Sequence, residues 1–277
     1  MIAVRRLCAT DIDALAGVLA RAYDDSGNHF RVTLERNLTL SSSHTFVAHD
    51  ANGPAGMVIG NDYGSMAYVA LMAVDPALQR RGIGTALMDA LIGWAEQRAI
   101  ACLELDASGM GAPLYERYGF RDDLETHIYT NDNPGSVQSP ARRYQPGDFD
   151  ALLACDRAAF GADRGELLER FFNDPTKTTF VDEVAGEIRG FAGSVYPSII
   201  GPVIASNALS AARLFATAHA AMGGPSRACI PSRNAAAIGI ATALGFTPSR
   251  SLRHMIRGTP AIGARGDIYA RINLGQG

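Results

Sequence analysis

Gln79-Arg80-Arg81-Gly82-Ile83-Gly84-Thr85 is the stretch whose residue types and spacing most clearly specify chemistry. Glycines two apart let a backbone approach an anion closely, and successive N–H groups can then point into one concavity. Ile83, Leu87, Ala90, Leu91 and Trp94 recur at helical spacing, so a helix opens at the same place and adds the positive end of its dipole. Arg80 and Arg81 bring formal charge. The segment reads as a phosphate cradle. It is not a Walker loop, which needs Gly-Lys-Ser/Thr where this chain has Gly84-Thr85-Ala86. A Rossmann fingerprint would need a third glycine and an early acidic partner, and neither is present.

The cradle must be held by the elements around it. An apolar run from Ala67 to Val74, broken by no charge, predicts a strand directly before it. Around that strand, residues 1–130 read as strand 2–7, helix 11–22, a second helix near 28–38, strands 45–49, 55–62 and 66–74, helix 83–98, strand 101–106, helix 111–118 and strand 124–130. Asn52-Gly53 marks a tight turn. The order is that of a mixed sheet, antiparallel at first and crossing over through the 83–98 helix.

The same unit is then written again. Arg5-Arg6 with Asp11-Ile12-Asp13-Ala14-Leu15 recurs as Arg142-Arg143 with Asp148-Phe149-Asp150-Ala151-Leu152. Phe46-Val47, Ala101-Cys102-Leu103 and Gly119-Phe120 recur in order as Phe180-Val181, Ala228-Cys229-Ile230 and Gly245-Phe246. Four pairs in sequence favour duplication of a roughly 130-residue unit whose loops have drifted in length. Asn131 to Pro140, dense in Asn, Pro, Gly and Ser, reads as a linker, so the division is 1–130, 131–140 and 141–277. The second copy reads as strands near 178–182, 187–196, 199–205, 226–230 and 249–257, with helices near 148–159, 163–173, 207–222 and 234–244. Its counterpart of the cradle, Ala205 to Ser210, has neither glycine nor arginine, and Ala241 stands opposite Tyr115.

Composition sets the remaining bounds. The 277 residues suit two domains, and a hydrophobic fraction of 47% with 19% charged residues suits a well-buried globular chain. A net charge of -3 gives no footprint for nucleic acid. No apolar run reaches the roughly 20 residues of a membrane span, and the opening residues do not read as a signal peptide, so no membrane partner and a cytoplasmic location are expected. Cys8, Cys102, Cys155 and Cys229 lack ligand spacing and are expected to be buried, and no metal site is expected.

The cradle, together with Asp106 to Phe120, in which a helix ends Leu114-Tyr115-Glu116-Arg117-Tyr118-Gly119-Phe120, resembles the two signatures of the GNAT N-acetyltransferases. The resemblance implies two tandem GNAT-like domains of α/β (α+β) type, each a mostly antiparallel mixed sheet flanked by helices, the second without a cradle. It implies acetyl-CoA as cosubstrate and a primary amine of a small molecule or peptide as acceptor. It places the pyrophosphate on Gln79, Arg80, Arg81, Gly82, Ile83, Gly84 and Thr85, and the pantetheine on the backbone of Leu71, Met72, Ala73 and Val74. Tyr115 matches the family's general acid, a phenol with an ordinary pKa of about 10 that can protonate the departing thiolate. The family's usual Asn early in this helix is replaced by Ala112-Pro113, a departure at a side-chain contact to the pantetheine arm. Asp24, Asp25, His29, Glu104 and Asp106 stay open as a base acting through water, with Asp106 alternatively a cap for the next turn. The competing class is an acyl-CoA sensor that transfers nothing, and a homodimer stays open.

Overall fold

The computed structural model describes residues 2–25, 29–135, 141–194, 196 and 198–277. Residues 136–140 of the expected linker lie outside the described residues. The first half contains β1 (Ala3–Arg6), α1 (Ile12–Tyr23), α2 (His29–Thr39), β2 (Ser43–Asp50), β3 (Gly53–Asp62), β4 (Met66–Val74), α3 (Ile83–Gln97), β5 (Cys102–Ala107), α4 (Ala112–Arg117) and β6 (Arg121–Asn131). The second contains β7 (Arg142–Arg143), α5 (Phe149–Phe160), α6 (Gly165–Phe172), β8 (Thr178–Val184), β9 (Glu187–Ser194), β10 (Ile199–Ile200), β11 (Val203–Ala205), α7 (Ala208–Met222), β12 (Ser226–Pro231), α8 (Ala235–Ala243), β13 (Thr247–Gly258) and β14 (Ile268–Ala270).

The repeat holds at the level of hydrogen bonds. Arg5 grips Asp11 through two bonds of 2.7 and 2.8 Å, and Arg142 grips Asp148 through two of 2.8 Å. Each of those carboxylates also accepts a backbone N–H three residues earlier, from Cys8 and Gln145, which fixes the turn into the helix. The α4 and α8 ends match too: Phe120 N–H donates to Tyr115 O at 3.2 Å and Phe246 N–H to Ala241 O at 3.0 Å. Ala241 therefore does stand where Tyr115 does.

The halves do not keep their sheets to themselves. Among the described residues one sheet runs β1-β2-β3-β4-β5-β13-β6-β12-β10 and a second runs β14-β11-β9-β8-β7. The long strand of each copy has crossed to the other: β13 pairs with β5 from Arg253↔Ala107 to Gly258↔Cys102, and β6 pairs with β12 from Ser226↔Asn131 to Pro231↔Thr126. Asn131, which its composition assigns to the linker, is instead the last residue of β6 and donates its side-chain amide to Leu244 O at 2.9 Å. One cluster of buried side chains joins Tyr63, Met66, Tyr68 and Cys102 of the first half to Phe160, Phe171, Phe172 and Phe191 of the second. Removing such surface from water is the main driving term for holding two units together.

Two expectations change. Residues 199–205 form two short strands in different sheets, separated at Gly201-Pro202, because β10 follows β12 while β11 turns to β9. Of the cysteines, Cys102 and Cys229 are buried, but Cys8 and Cys155 are partly exposed. Cys8 sits in the polar turn bound by Arg5 and Asp11 rather than in the core.

Candidate functional site

The central strand β4 is apolar because both of its faces are covered, by α3 on one side and α1–α2 on the other. It pairs with β5 in parallel through Met66↔Cys102, Ala67↔Leu103 and Tyr68↔Glu104, and there the pairing stops although both strands run on. A bulge against β3, where Met57 faces Ala73 and Ile59 faces Ala70, holds Leu71 at φ 44°. Positive φ at a branched, non-glycine residue is strained and turns β4 away from β5. Leu71, Met72 and Val74 are left partly exposed along an edge that faces an open gap. That edge offers unpaired backbone groups to any extended ligand carrying amides.

The end of β4 is anchored. Arg21 of α1 reaches Asp75 with Nε at 3.1 Å and Nη2 at 2.5 Å, and Asp75 accepts Ala77 N–H at 3.0 Å. The Arg21 guanidinium holds the Asp75 carboxyl below the ordinary carboxylate range. Beyond it the chain turns through Arg80 at φ 61° and Gly82 at φ 83° into α3. Gly82 is the residue before the helix and supplies no side-chain cap. No acceptor among the described residues takes the N–H groups of Gln79, Arg80, Arg81, Gly82, Ile83, Gly84 or Thr85, and the first such bond is Ala86 N–H to Gly82 O. Uncapped N–H groups at the positive end of a 15-residue helix are available to hydrogen-bond an anion. The side chains of Arg80 and Arg81 are exposed beside it.

Tyr115 lies in α4 on the α3 side of the sheet, 8% exposed, with its ring edge-on to Phe120 at 5.9 Å. Burial, with Tyr23 a lesser contributor, pushes its phenol well above the ordinary value. Its hydroxyl makes no hydrogen bond among the described residues, so it is protonated and uncommitted. Tyr23, which carries no signal in the sequence, closes α1 and donates its hydroxyl to Met72 O at 3.3 Å, while its ring stacks on Phe30 at 5.7 Å.

The five candidate bases separate. Asp25 and His29 are half exposed and 3.7 Å apart, and Asp24 ends α1 in the left-handed region. Asp106 does not cap the following turn, whose Gly111 N–H goes to Ser108. Its buried carboxylate accepts Tyr68 OH and Thr126 Oγ1, each at 2.6 Å, with His254 Nδ1 at 3.3 Å. Arg265 binds Glu104 at 2.9 Å, and His254 Nε2 lies 3.5 Å from it. Burial alone would raise both acids, but Arg271 chiefly keeps Asp106 low, while His254 and Arg265 bring Glu104 down to about 2. Carboxylates so stabilised are weak proton acceptors. Sequence reasoning missed this network because Tyr68 sits in an apolar run and Arg271 lies far along the chain.

No group of three or more His, Cys, Asp or Glu among the described residues could hold a metal, and no helix of the described residues is long and apolar enough to cross a membrane. An open groove of about 380 Å³ at the α2–α6 seam, lined by Thr39, Glu166 and Arg170 among others, includes none of the cradle or gap residues.

Known proteins share this fold. Residues 41–122 and residues 152–270 each match a family model described as an acetyltransferase (GNAT) domain, and together they cover most of the chain. An uncharacterized N-acetyltransferase, YitH, of Bacillus subtilis is 26% identical over 222 residues, 78% of each chain. A proposed acetyltransferase from Pyrococcus horikoshii shares the fold at a TM-score of 0.89 with 24% identity, over 100% of this chain and 96% of its own. A tandem GNAT protein from the clavulanic acid biosynthesis pathway superposes at a TM-score of 0.63 with 14% identity, over 95% of this chain and 100% of its own. With a GNAT model matching each half and a tandem GNAT fold throughout, the chain belongs to the GNAT acetyltransferases as a two-domain member.

Proposed function

We propose that the protein transfers the acetyl group of acetyl-CoA to a primary amine of a small molecule or peptide, with the chemistry confined to the first half, residues 1–130, and the second half, 141–277, binding no CoA. The observation that carries this is the combination, in one half only, of unclaimed N–H groups from Gln79 to Thr85 with the unpaired β4 edge from Leu71 to Val74. A pyrophosphate at the first and pantetheine amides along the second would satisfy backbone groups that otherwise have only water.

The roles follow from the chemistry of transfer. A neutral amine must meet the thioester carbon, donors must face the oxygen on which charge develops, and the thiolate must take a proton as it leaves. Backbone N–H groups on the β4 edge suit the oxygen. Tyr115 suits the thiolate, because a buried phenol keeps its proton until a strong base appears beside it. The two buried acids are held too low to serve as the base, which favours an amine that arrives neutral or sheds its proton to water.

The test is thiol release from acetyl-CoA over a panel of amines, with Tyr115→Phe as control. Transfer that falls in the variant supports an enzyme. Tight acetyl-CoA binding without release to any amine would make the protein an acyl-CoA sensor instead.

A further inference from the structure

The second half opens the same gap as the first and then closes it with its own chain. β10 pairs in parallel with β12 through Ile199↔Arg227 and Ile200↔Ala228, as β4 does with β5, and β11 then diverges. Between β11 and β12 lies β14. It pairs antiparallel with β11 at Val203↔Ala270 and Ile204↔Ile268, and Arg271 N–H donates to Cys229 O of β12 at 2.8 Å.

Beyond β14 the chain reaches over to the first half. Arg271, 4% exposed, extends Nη1 to 3.3 Å from Tyr68 OH. Tyr68 is the last β4 residue paired to β5, so Arg271 meets the first half where its gap begins. Asn61 donates to Gly275 O at 2.9 Å and Tyr63 OH to Gln276 O at 3.3 Å, while Arg164 and Tyr196 hold Gly277 O and Gln276 Oε1 from the opposite side at 2.7 and 2.9 Å. A Cβ at Gly275 would lie 3.0 Å from the Cβ of Ala70, the residue before Leu71.

We propose that Ile268–Gly277 is an acceptor-selecting element: β14 permanently occupies the second half's ligand gap, and the residues after it, with Arg271 as a positioning residue, wall the reacting end of the first half's gap. This rests on acetyl-CoA occupying that first gap. A cofactor whose phosphates sit at Gln79–Thr85 runs back along β4, so its thioester end approaches Leu71 and Ala70. Whatever covers Ala70 then faces the incoming amine. Arg271 acts by fixing the Tyr68 hydroxyl, whose proton goes to Asp106 and whose lone pair faces the guanidinium.

The experiment uses the full chain as wild type, Gly275→Val and Arg271→Lys. The valine pushes the segment off Ala70. The lysine keeps the charge but loses the guanidinium fork. Both should bind acetyl-CoA within about twofold of wild type yet raise acceptor KM about tenfold and reorder the preference among amines, since small misplacements of a positioning group cost that much or more. Wild-type KM values for every amine, or acetyl-CoA affinity lost in the same proportion, would overturn the wall. If Arg271→Lys fails to fold, Gly275→Val decides. Hydrogen exchange gives a readout independent of turnover: amides of 203–205 and 268–271 should be protected equally with and without acetyl-CoA, while those of 71–74 gain protection when it binds. Fast exchange at 268–271, or protection there that depends on acetyl-CoA, would overturn the occupancy of the second gap. Should wild type acetylate no amine at all, the proposed transfer falls and the wall with it, and exchange alone decides the occupancy.

Discussion

The two halves share a layout and contrast most at the gap beside the strand that enters their 15-residue helix. In the first half the helix α3 begins at Gly82 with no side-chain cap, and the β4 edge is unpaired. In the second, Asn207 caps α7 by accepting Ser210 N–H at 2.9 Å, and β14 pairs with the corresponding edge. The strand edge and one first-turn donor left open in the first copy are thus answered by the protein's own atoms in the second. On the proposed function, a duplicated fold loses a ligand site by satisfying it internally, since hydrogen-bonding groups left buried without partners would destabilise the domain. By the same reading, the strained Leu71 and uncapped Gly82 of the first half are costs that a bound CoA would offset.

That contrast can be broken most severely at Gly82. Its φ of 83° is unfavourable for any branched residue, and the N–H groups of its neighbours have no acceptor among the described residues. Gly82→Val should lower CoA affinity on the order of a hundredfold or more while circular dichroism shows the fold retained. Unchanged affinity by calorimetry would remove the cradle. Gly84→Val should also weaken binding, with some loss of stability, because a Cβ there would lie 3.3 Å from Leu114.

Next in size is Tyr115→Phe, expected to lower turnover roughly ten- to a thousandfold with acetyl-CoA affinity little changed, the signature of a group acting in the transition state. Equal turnover where chemistry limits the rate would exclude the phenol. Its counterpart Ala241→Tyr should create no second activity.

A smaller effect concerns the seam that joins the copies. Glu104, bound by Arg265 across the halves, has its folded pKa lowered to about 2 from an ordinary 4.5. A depressed carboxylate contributes stability that is complete above the unfolded value and is lost as pH falls through the folded one. Melting temperature should therefore drop between about pH 4.5 and about pH 2, and Glu104→Gln should flatten that drop while lowering stability at neutral pH. A pH profile of stability identical to wild type would show that the seam does not depend on this charge. The smallest change is Asn207→Ala, which should cost about 1 kcal/mol in denaturant unfolding through the lost cap and still admit no CoA to the second half, because β14 remains in the gap.

The turn into α3, the order of elements and the repeated Arg/Asp turns were legible because each rests on local residue types: Gly82 and Gly84, the apolar run before them, and the spaced pairs Arg5/Asp11 and Arg142/Asp148. The exchange of β6 and β13 was not. Nothing in the residues of either strand states which copy's neighbour it will meet. Ile268-Tyr269-Ala270 reads as strand-like but not as the filling of a gap, since pairing partners are set by topology rather than by the residues of the strand. Arg21–Asp75 and Tyr68–Asp106–Arg271 were invisible for a related reason: single polar residues far apart in sequence show their meaning only when the fold brings them together.

The central claim is that one gap is open and its twin is filled, and titration of the intact chain with CoA measures it most directly. The account predicts one CoA per chain, abolished by Gly82→Val and unaltered by Asn207→Ala. Two CoA per chain of comparable affinity, or binding that survives Gly82→Val undiminished, would contradict it.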